Sequence, residues 1–301
     1  MTETPVPASR LRRGDFRFFH RLRVRRAEVD MQKIVFSGHY LLYLDAAMGG
    51  YWRALALPYA ESMEALGGDL YLKKAAVEYH APAFYDDQLD IALRCERIGR
   101  SSIAFAAAVF RGDALLAGGE LLYVYVDPAA RRPQPVPPAL RSVLLGYEAG
   151  EPVYAVHTGP WDALGNQAGR VRTAVFVDEQ GIAPEDEWDA DDATAIHAVV
   201  VNRLGQPLAT GRLLRHGQGE GRIGRMAVHC SLRGSRLGRA VLDALVETAR
   251  ARGDHTLLLH SQRSAEGFYA NAGFAPHGEP FDEVGIAHIE MRRALPPLLD
   301  K

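Results

Sequence analysis

Tyr40, Leu44, Ala47, Tyr51 and Leu55 recur at helical spacing through SGHYLLYLDAAMGGYWRALAL, which predicts one long helix with a single apolar face. Gly49-Gly50 in its middle allows the backbone to approach a packed sheet closely. Before it, FRFFHRLRVRRAEVD predicts a strand. After it, GDLYLKKAAVEYHAP, DQLDIALRCERIGR, SSIAFAAAVFRG and DALLAGGELLYVYVDP predict further long strands, with RGDA as a hairpin turn. A strand, one helix and an antiparallel meander make an α+β arrangement in which a sheet wraps a single helix.

The pattern changes past residue 127. Five of the 17 prolines fall between Pro128 and Pro138, and proline fixes φ and removes a donor, so this stretch predicts an extended connector. ALRSVLLGYEAG then predicts one short helix, and a domain boundary falls near Gly150. Beyond it, helix AGRVRTAVFVDEQGI precedes strands AIHAVVVNR, PLATGRLLRH and EGRIGRMAVH. Helix LGRAVLDALVETARARG, strand TLLLHSQ, helix SAEGFYANAGF and a last strand near GIAHIEMRR follow. Interleaved helices and strands predict an α/β domain with a mixed sheet. The two blocks, 1–150 and 151–301, do not resemble each other.

Composition narrows the classes. A chain of 301 residues is long enough for two cores, and 48% hydrophobic with 24% charged residues is a globular profile. No apolar run approaches the roughly 18 residues of a membrane span, and MTETPVPASRLRRGD lacks a signal-peptide core. Cytoplasm, with no membrane partner, is the expectation. A net charge of −2 gives no bulk attraction to nucleic acid. Eight arginines between Arg10 and Arg26 are the one strong local bias, and a solvated tail plus one strand face accounts for them. A nucleic-acid site there would bind with steep salt dependence. Cys95 and Cys230 lie too far apart in sequence to suggest a disulfide framework or a sulfur-rich metal site, and no metal is expected.

The first stretch with candidate chemistry is LRGSRLGRAV, residues 232–241, which follows strand IGRMAVH and opens a helix with Leu237, Val241, Leu242, Leu245 and Ala249 on one face. Glycines before a helix expose unpaired N–H groups where the helix dipole is positive. Arg233, Arg236 and Arg239 add mobile positive charge. That combination suits a pyrophosphate, although a purely structural helix entry has the same look. Neither GxGxxG nor GK[ST] is present, so dinucleotide fingerprints and P-loops do not fit.

RIGRMAVHCSLRGSRLGRAVLDAL, followed by LLLHSQRSAEGFYANAGF, resembles the GNAT superfamily of CoA-dependent N-acetyltransferases. RTAVFVDEQGIAPEDEWDADD and EPFDEVGIAHIEM are similar to its ElaA-type branch, and the likeness spans residues 153–294. The resemblance implies that Arg233, Gly234, Ser235, Arg236, Leu237, Gly238 and Arg239 hold the CoA pyrophosphate. It implies that the backbone of Met226, Ala227 and Val228 lines the pantetheine and polarises the thioester, and that Tyr269 protonates the departing sulfur. The substrate would be acetyl-CoA and the acceptor an unspecified amine. Arg236 stands where the family has a glycine, at a steric cost if φ is positive there. His260, Glu179, Asp189 and Glu283 are polar candidates for the general base, none singled out.

In the first block, Asp30 sits between a strand and the start of the long helix, and Ser37 is placed to cap that helix. A carboxylate beside free helix N–H groups serves thioester hydrolysis, the N–H groups holding the oxyanion and the carboxylate attacking or activating water. A cap or dipole partner would look the same. VRRAEVDMQKIVFSGHY and VEYHAPAFYDDQLDIALRCERIGRSSIAFAAAVF resemble the hotdog-fold thioesterases of the 4-hydroxybenzoyl-CoA type over residues 18–147. The resemblance places the catalytic carboxylate at Asp30 and the oxyanion N–H at Ser37. It also implies acyl-CoA as substrate and a homodimer or higher oligomer formed through this domain. Lys33 replaces a common glycine and Ser37 a common Asn or His. His39 is open, Tyr40 is expected to pack inward, and Lys73 or Lys74 would reach CoA phosphates only if its side faces the site. A hotdog dehydratase is not supported, since neither Dx4H nor Hx3Px2P occurs near the helix.

The chain therefore reads as a fusion of an acyl-CoA thioesterase and an N-acetyltransferase. The competing class keeps one domain catalytic and makes the other a CoA-binding or oligomerising module.

Overall fold

The strand-rich and the alternating halves of the chain fold as separate units, Met1–Val153 and Tyr154–Lys301. The computed structural model describes residues 11–283 and 285–296.

In the first unit the elements run β1 (Phe18–Arg23), α1 (Ser37–Ala54), α2 (Tyr59–Leu66), β2 (Asp69–Tyr79), β3 (Gln88–Ile98), β4 (Ser102–Arg111), β5 (Ala114–Asp127), β6 (Arg132–Pro133) and α3 (Pro138–Ala149). The strands form one antiparallel sheet in the order β1-β3-β4-β5-β2, with β6 paired to β5. The sheet packs on α1, whose buried face is Tyr40, Tyr43, Leu44, Ala47, Met48, Tyr51 and Trp52. Tyr51 is fully buried, meets Phe18 and Phe105 edge-on, and donates its hydroxyl to Glu148 at 2.5 Å. Gly50 explains the glycine pair: a Cβ there would stand 2.9 Å from the Phe18 ring.

Two expectations change here. The first strand ends at Arg23 rather than running to Asp30, because Glu28 folds the chain into a short turn. Its buried carboxylate accepts the Arg25 N–H at 2.7 Å and the Tyr43 hydroxyl at 2.8 Å. The proline stretch is not a free connector. Arg132–Pro133 pair with β5, and the N–H of Val136 donates to the Arg100 carbonyl. Of the arginine run, Arg10 lies outside the described residues, Arg13 and Arg21 pair with Asp90, Arg23 with Asp86 and Arg25 with Glu28.

The second unit runs β7 (Tyr154–Gly159), α4 (Trp161–Arg172), a π-helical turn over Thr173–Glu179, α5 (Pro184–Glu187), β8 (Ile196–Asn202), β9 (Pro207–Gly217), β10 (Glu220–Val228), α6 (Leu237–Ala251), β11 (Thr256–Gln262), α7 (Glu266–Ala270), β12 (Ala275–Glu283) and β13 (Ile286–Ala294). Its sheet has the order β12-β13-β11-β10-β9-β8-β7, and β10–β11 is a parallel pair. Leu164 and Ala168 of α4 pack with Val199 and Val201 on one face. Val241 and Leu245 of α6 close on Gly211 from the other, where a Cβ would come within 3.0 Å of both. The face predicted for α6 is the face that is buried, joined by Val246. The helix placed at Ala168–Ile182 begins at Trp161 and passes into the π-turn, and the one placed at Ser264–Phe274 is regular only over Glu266–Ala270. Together these are an α+β domain in which an antiparallel sheet packs on one long helix, followed by a domain with a mixed sheet and flanking helices. Among the described residues, no helix is long and apolar enough to cross a membrane.

Candidate active sites

Between Val29 and Val35, which bridge antiparallel, the chain folds back on itself. The Asp30 N–H donates to the Ile34 carbonyl and the Lys33 N–H to the Asp30 carbonyl, with Lys33 held at φ +64°. Asp30 Oδ1 accepts the N–H groups of Gln32 at 2.7 Å and Ile34 at 3.4 Å, an Asx turn. One carboxylate oxygen thus anchors the loop, while Oδ2 has no partner among the described residues. The loop is pinned from behind by the Phe36 N–H on the Glu28 carbonyl and the Val35 N–H on Ala83, each 2.9 Å.

Ser37 does not cap α1. Phe36 occupies the extended cap position (ψ 133°) with no side-chain cap, so Ser37 is the first helical residue and its hydroxyl is not the cap. The consequence favours chemistry over capping: among the described residues, the N–H groups of Ser37 and Gly38 donate to nothing. Asp30 and Ser37 line one groove of about 670 Å³ with Met31, Phe36, Tyr40 and Tyr79. Met31, Phe36 and Tyr79 are exposed and Tyr40 is buried. His39 stacks on Tyr43 and does not line the groove, and neither do Lys73 or Lys74. A bulge between Leu72 and Lys74 breaks strict alternation there, and Lys74 lies 3.6 Å from Glu120.

In the second unit the parallel pair β10–β11 holds from Glu220–Ile223 to Thr256–Leu259 and then parts. Past that point, among the described residues, β10 is bonded only to β9 and β11 only to β13. Arg225, at φ +51°, forms a bulge that puts Arg225 and Met226 opposite Gly211 alone. Parting strands leave the inner edge of Met226, Ala227 and Val228 unpaired and facing a cleft of about 1160 Å³.

At the mouth of that cleft lies the glycine-arginine loop. Gly234 (φ +82°) and Arg236 (φ +64°) turn the backbone so that the N–H groups of Gly234 and of Arg236 through Arg239 find no partner among the described residues. Such a nest, set on the N-terminus of α6, has the geometry that suits an anion. Arg233, Gly234, Arg236, Leu237, Gly238, Arg239 and Tyr269 all line the cleft; Ser235 does not. The loop's positive charge is less mobile than expected. Arg233 forms a two-pronged bond to Glu179 at 2.6 Å and Arg239 pairs with Asp243, which leaves Arg236 as the loop's guanidinium with no carboxylate partner among the described residues. Arg236 carries the strain of a left-handed residue. Arg236→Gly is expected to exceed Arg236→Ala in stability by about 1 kcal/mol in denaturant unfolding, since both lose the charge and only glycine relieves φ.

Behind the cleft a second recess of about 190 Å³ opens on the α4 face, and Gln180, Met226, Gln262, Ala265 and Tyr269 line both spaces. Tyr269 therefore stands where they meet. It is buried, its hydroxyl has no hydrogen-bond partner among the described residues, and burial pushes its pKa up to about 12. A phenol that stays protonated is a proton donor at neutral pH.

One wall of the recess is a buried ionic cluster that sequence reasoning missed. Arg172 is 1% exposed, bonds Glu187 and Asp192, and lies 4.5 Å from the centre of the Trp188 ring. Arg212 bonds Asp189 and Asp192, and Arg225 reaches Glu187 and Asp189. Arg212 holds the Asp189 carboxyl below its usual range. Burial pushes Asp192 up, but its Arg172 and Arg212 bonds outweigh that and hold it low. Of the four base candidates, Glu179 is tied to Arg233 and Asp189 to the cluster. His260 and Glu283 touch each other at 3.2 Å and line the recess.

One family model matches each half of the chain. Residues 24–144 match the thioesterase-like superfamily and residues 175–295 the acetyltransferase (GNAT) domain. An Aquifex aeolicus protein with a provisional esterase name is 35% identical over 100 residues, covering 33% of this chain and 77% of its own. A Bacillus subtilis protein with a provisional acetyltransferase name is 32% identical over 127 residues, covering 41% of this chain and 84% of its own. An acyl-CoA N-acyltransferase structure from Pseudomonas aeruginosa is 30% identical, covering 47% of this chain and 99% of that one with a TM-score of 0.43.

Proposed function

Because the chain belongs to the thioesterase-like superfamily through its first unit and to the GNAT acetyltransferases through its second, we propose that it is a bifunctional CoA-thioester enzyme. Residues 1–150 hydrolyse an acyl-CoA, and residues 151–301 transfer acetyl from acetyl-CoA to an amine. The observation that carries the reading is the repeated pairing of a reactive side chain with unpartnered N–H groups. Asp30 and the Ser37 and Gly38 N–H groups supply it in one unit, Tyr269 and the nest at residues 234–239 in the other.

In the first unit the thioester carbonyl rests on the Ser37 N–H, which gains strength as charge develops on oxygen. Asp30 Oδ2 attacks the carbonyl carbon or takes a proton from an attacking water. We also infer a homodimer. β2 is an edge strand whose Tyr71, Leu72 and Tyr79 are about half exposed, and the Asp30 groove is open beside Met31. In the second unit the nest and Arg236 hold the pyrophosphate, the pantetheine lies along the free edge of Met226–Val228 as an added strand, and Tyr269 gives its proton to the departing thiolate.

Tyr269→Phe is the direct test of the second activity. The phenol is removed while the buried ring stays, so acetyl-CoA affinity should hold and kcat for transfer to an amine should fall about 100-fold. An unchanged kcat would make Tyr269 a packing residue and remove it from the mechanism.

A further inference from the structure

The recess behind Tyr269 has side chains that acetyl transfer in general does not call for. Strand registers set them in rows on the α4 face: Arg222 is beside Leu258, His260 opposite Glu290, Gln262 opposite His288, and His288 opposite Phe281. Helix α4 packs on β7 to β10, so the far end of this face is the floor of the recess.

Four arginines stand on or around that floor. Arg172, Arg212 and Arg225 each meet a carboxylate of the chain. Arg222 meets none among the described residues; its Nη2 lies 3.2 Å from His260 Nδ1. The Glu283 carboxylate stands across His260 Nδ1 from Arg222 and not in ion-pair contact, so the guanidinium's fork of donors is open to a carboxylate. The imidazoles are set to handle an amine. His288 Nδ1 donates to the Ile286 carbonyl at 2.7 Å, so in the neutral ring the lone pair lies on Nε2. His260 Nδ1 stands 3.2 Å from both Arg222 Nη2 and Glu283 Oε2, so it accepts from one or donates to the other.

We propose that the acetyl acceptor is an amine that carries a carboxylate, a free amino acid or close relative, held by Arg222 with its nitrogen toward His288. This rests on the acetyltransferase reading above. When the substrate carboxylate takes Arg222, His260 is released to donate to Glu283. One ammonium proton leaves to solvent, and His288 Nε2 takes the second as the nitrogen forms its bond to the thioester carbonyl carbon. The carbon–sulfur bond breaks with its electrons going to sulfur, and Tyr269 protonates the thiolate. Exchange with solvent returns His288 and Tyr269 to their starting states.

The experiment uses the full chain and matched pairs: tyrosine and tyramine, arginine and agmatine, phenylalanine and phenethylamine. It measures acetyl transfer and, by calorimetry, acetyl-CoA affinity. In at least one pair the amino acid should exceed its amine on the order of 100-fold in kcat/KM. Arg222→Gln should erase that preference through KM with acetyl-CoA affinity unchanged, and Arg222→Lys should restore part of it. Equal or better transfer to the amines overturns the proposal, as does a preference that survives Arg222→Gln. Acetyl-CoA binding without transfer to any of these compounds overturns the acceptor class and leaves the acetyl-CoA site standing. Absence of acetyl-CoA binding overturns the acetyltransferase reading itself.

Discussion

Asp30→Asn is expected to lower thiol release from acyl-CoA by about 10²- to 10⁴-fold in kcat/KM, while Tyr269→Phe leaves it at the wild-type rate. The substitution separates chemistry from structure. Asparagine keeps an oxygen where Asp30 Oδ1 accepts the Gln32 and Ile34 N–H groups, so the Asx turn and the left-handed Lys33 are preserved. What is lost is the charge on Oδ2, the oxygen with no partner in the loop. The assay is thiol release from a panel of acyl-CoAs with no amine present, and the best substrate in the panel names the acyl class. If Asp30→Asn retains activity, the carboxylate is a loop anchor and nothing more. If the wild type hydrolyses none of the panel, the first unit is a binding or assembly module, and the function rests on the second.

Much of this was legible because burial is periodic. The α1 positions 40, 44, 47 and 51, with Leu55 at the helix's C-cap, and the α6 positions 237, 241, 242, 245 and 249 are all buried, since a helix packed on a sheet must put its apolar residues on one stripe. Elements without such a stripe were not legible. β12, APHGEPFDE, is a mostly exposed edge strand with two prolines, tolerable only because the edge need not donate outward. β7 is the opposite edge, and α2 is short. The cap at Ser37 failed by one residue, and nothing in the residue types distinguishes cap from first turn when phenylalanine holds the extended position. The parting of β10 from β11 and the bulge at Arg225 are properties of register, which side-chain type does not encode.

The acidic run EDEWDADD shows a related limit: its residue types carry no sign of burial, yet Glu187 and Asp192 are 1% and 4% exposed. Their partners Arg172, Arg212 and Arg225 come from α4, β9 and β10, and only the folded sheet brings them together. Long-range charge pairing of this kind also ties the wall of the acceptor recess to its floor, so the same residues that shape the site set the stability of the unit.

Arg172→Ala should therefore destabilise the second unit by about 3–5 kcal/mol, because it strands Glu187 and Asp192 in a buried setting without their main counter-charge. At about 2–4 °C per kcal/mol for a unit of this size, the melting temperature should fall by roughly 10 °C. A triple variant, Arg172→Met with Glu187→Gln and Asp192→Asn, separates lost charge pairing from lost volume. It removes the charges together, while Arg212 and Arg225 keep Asp189, and most of the loss should be recovered. A triple variant as unstable as Arg172→Ala would mean that the packing of Arg172 against Trp188 matters more than its charge. The pH dependence is set by the two aspartates, with Glu187, whose carboxyl burial pushes above its usual range, acting in the opposite sense and weakening it. Asp189 and Asp192 have folded pKa values below their unfolded ones, so their stabilisation is present above the unfolded carboxylate range and is lost as pH falls through the folded values. Thermal melts of the wild type should accordingly drop steeply on the acid side, and that drop should be shallower in the triple variant.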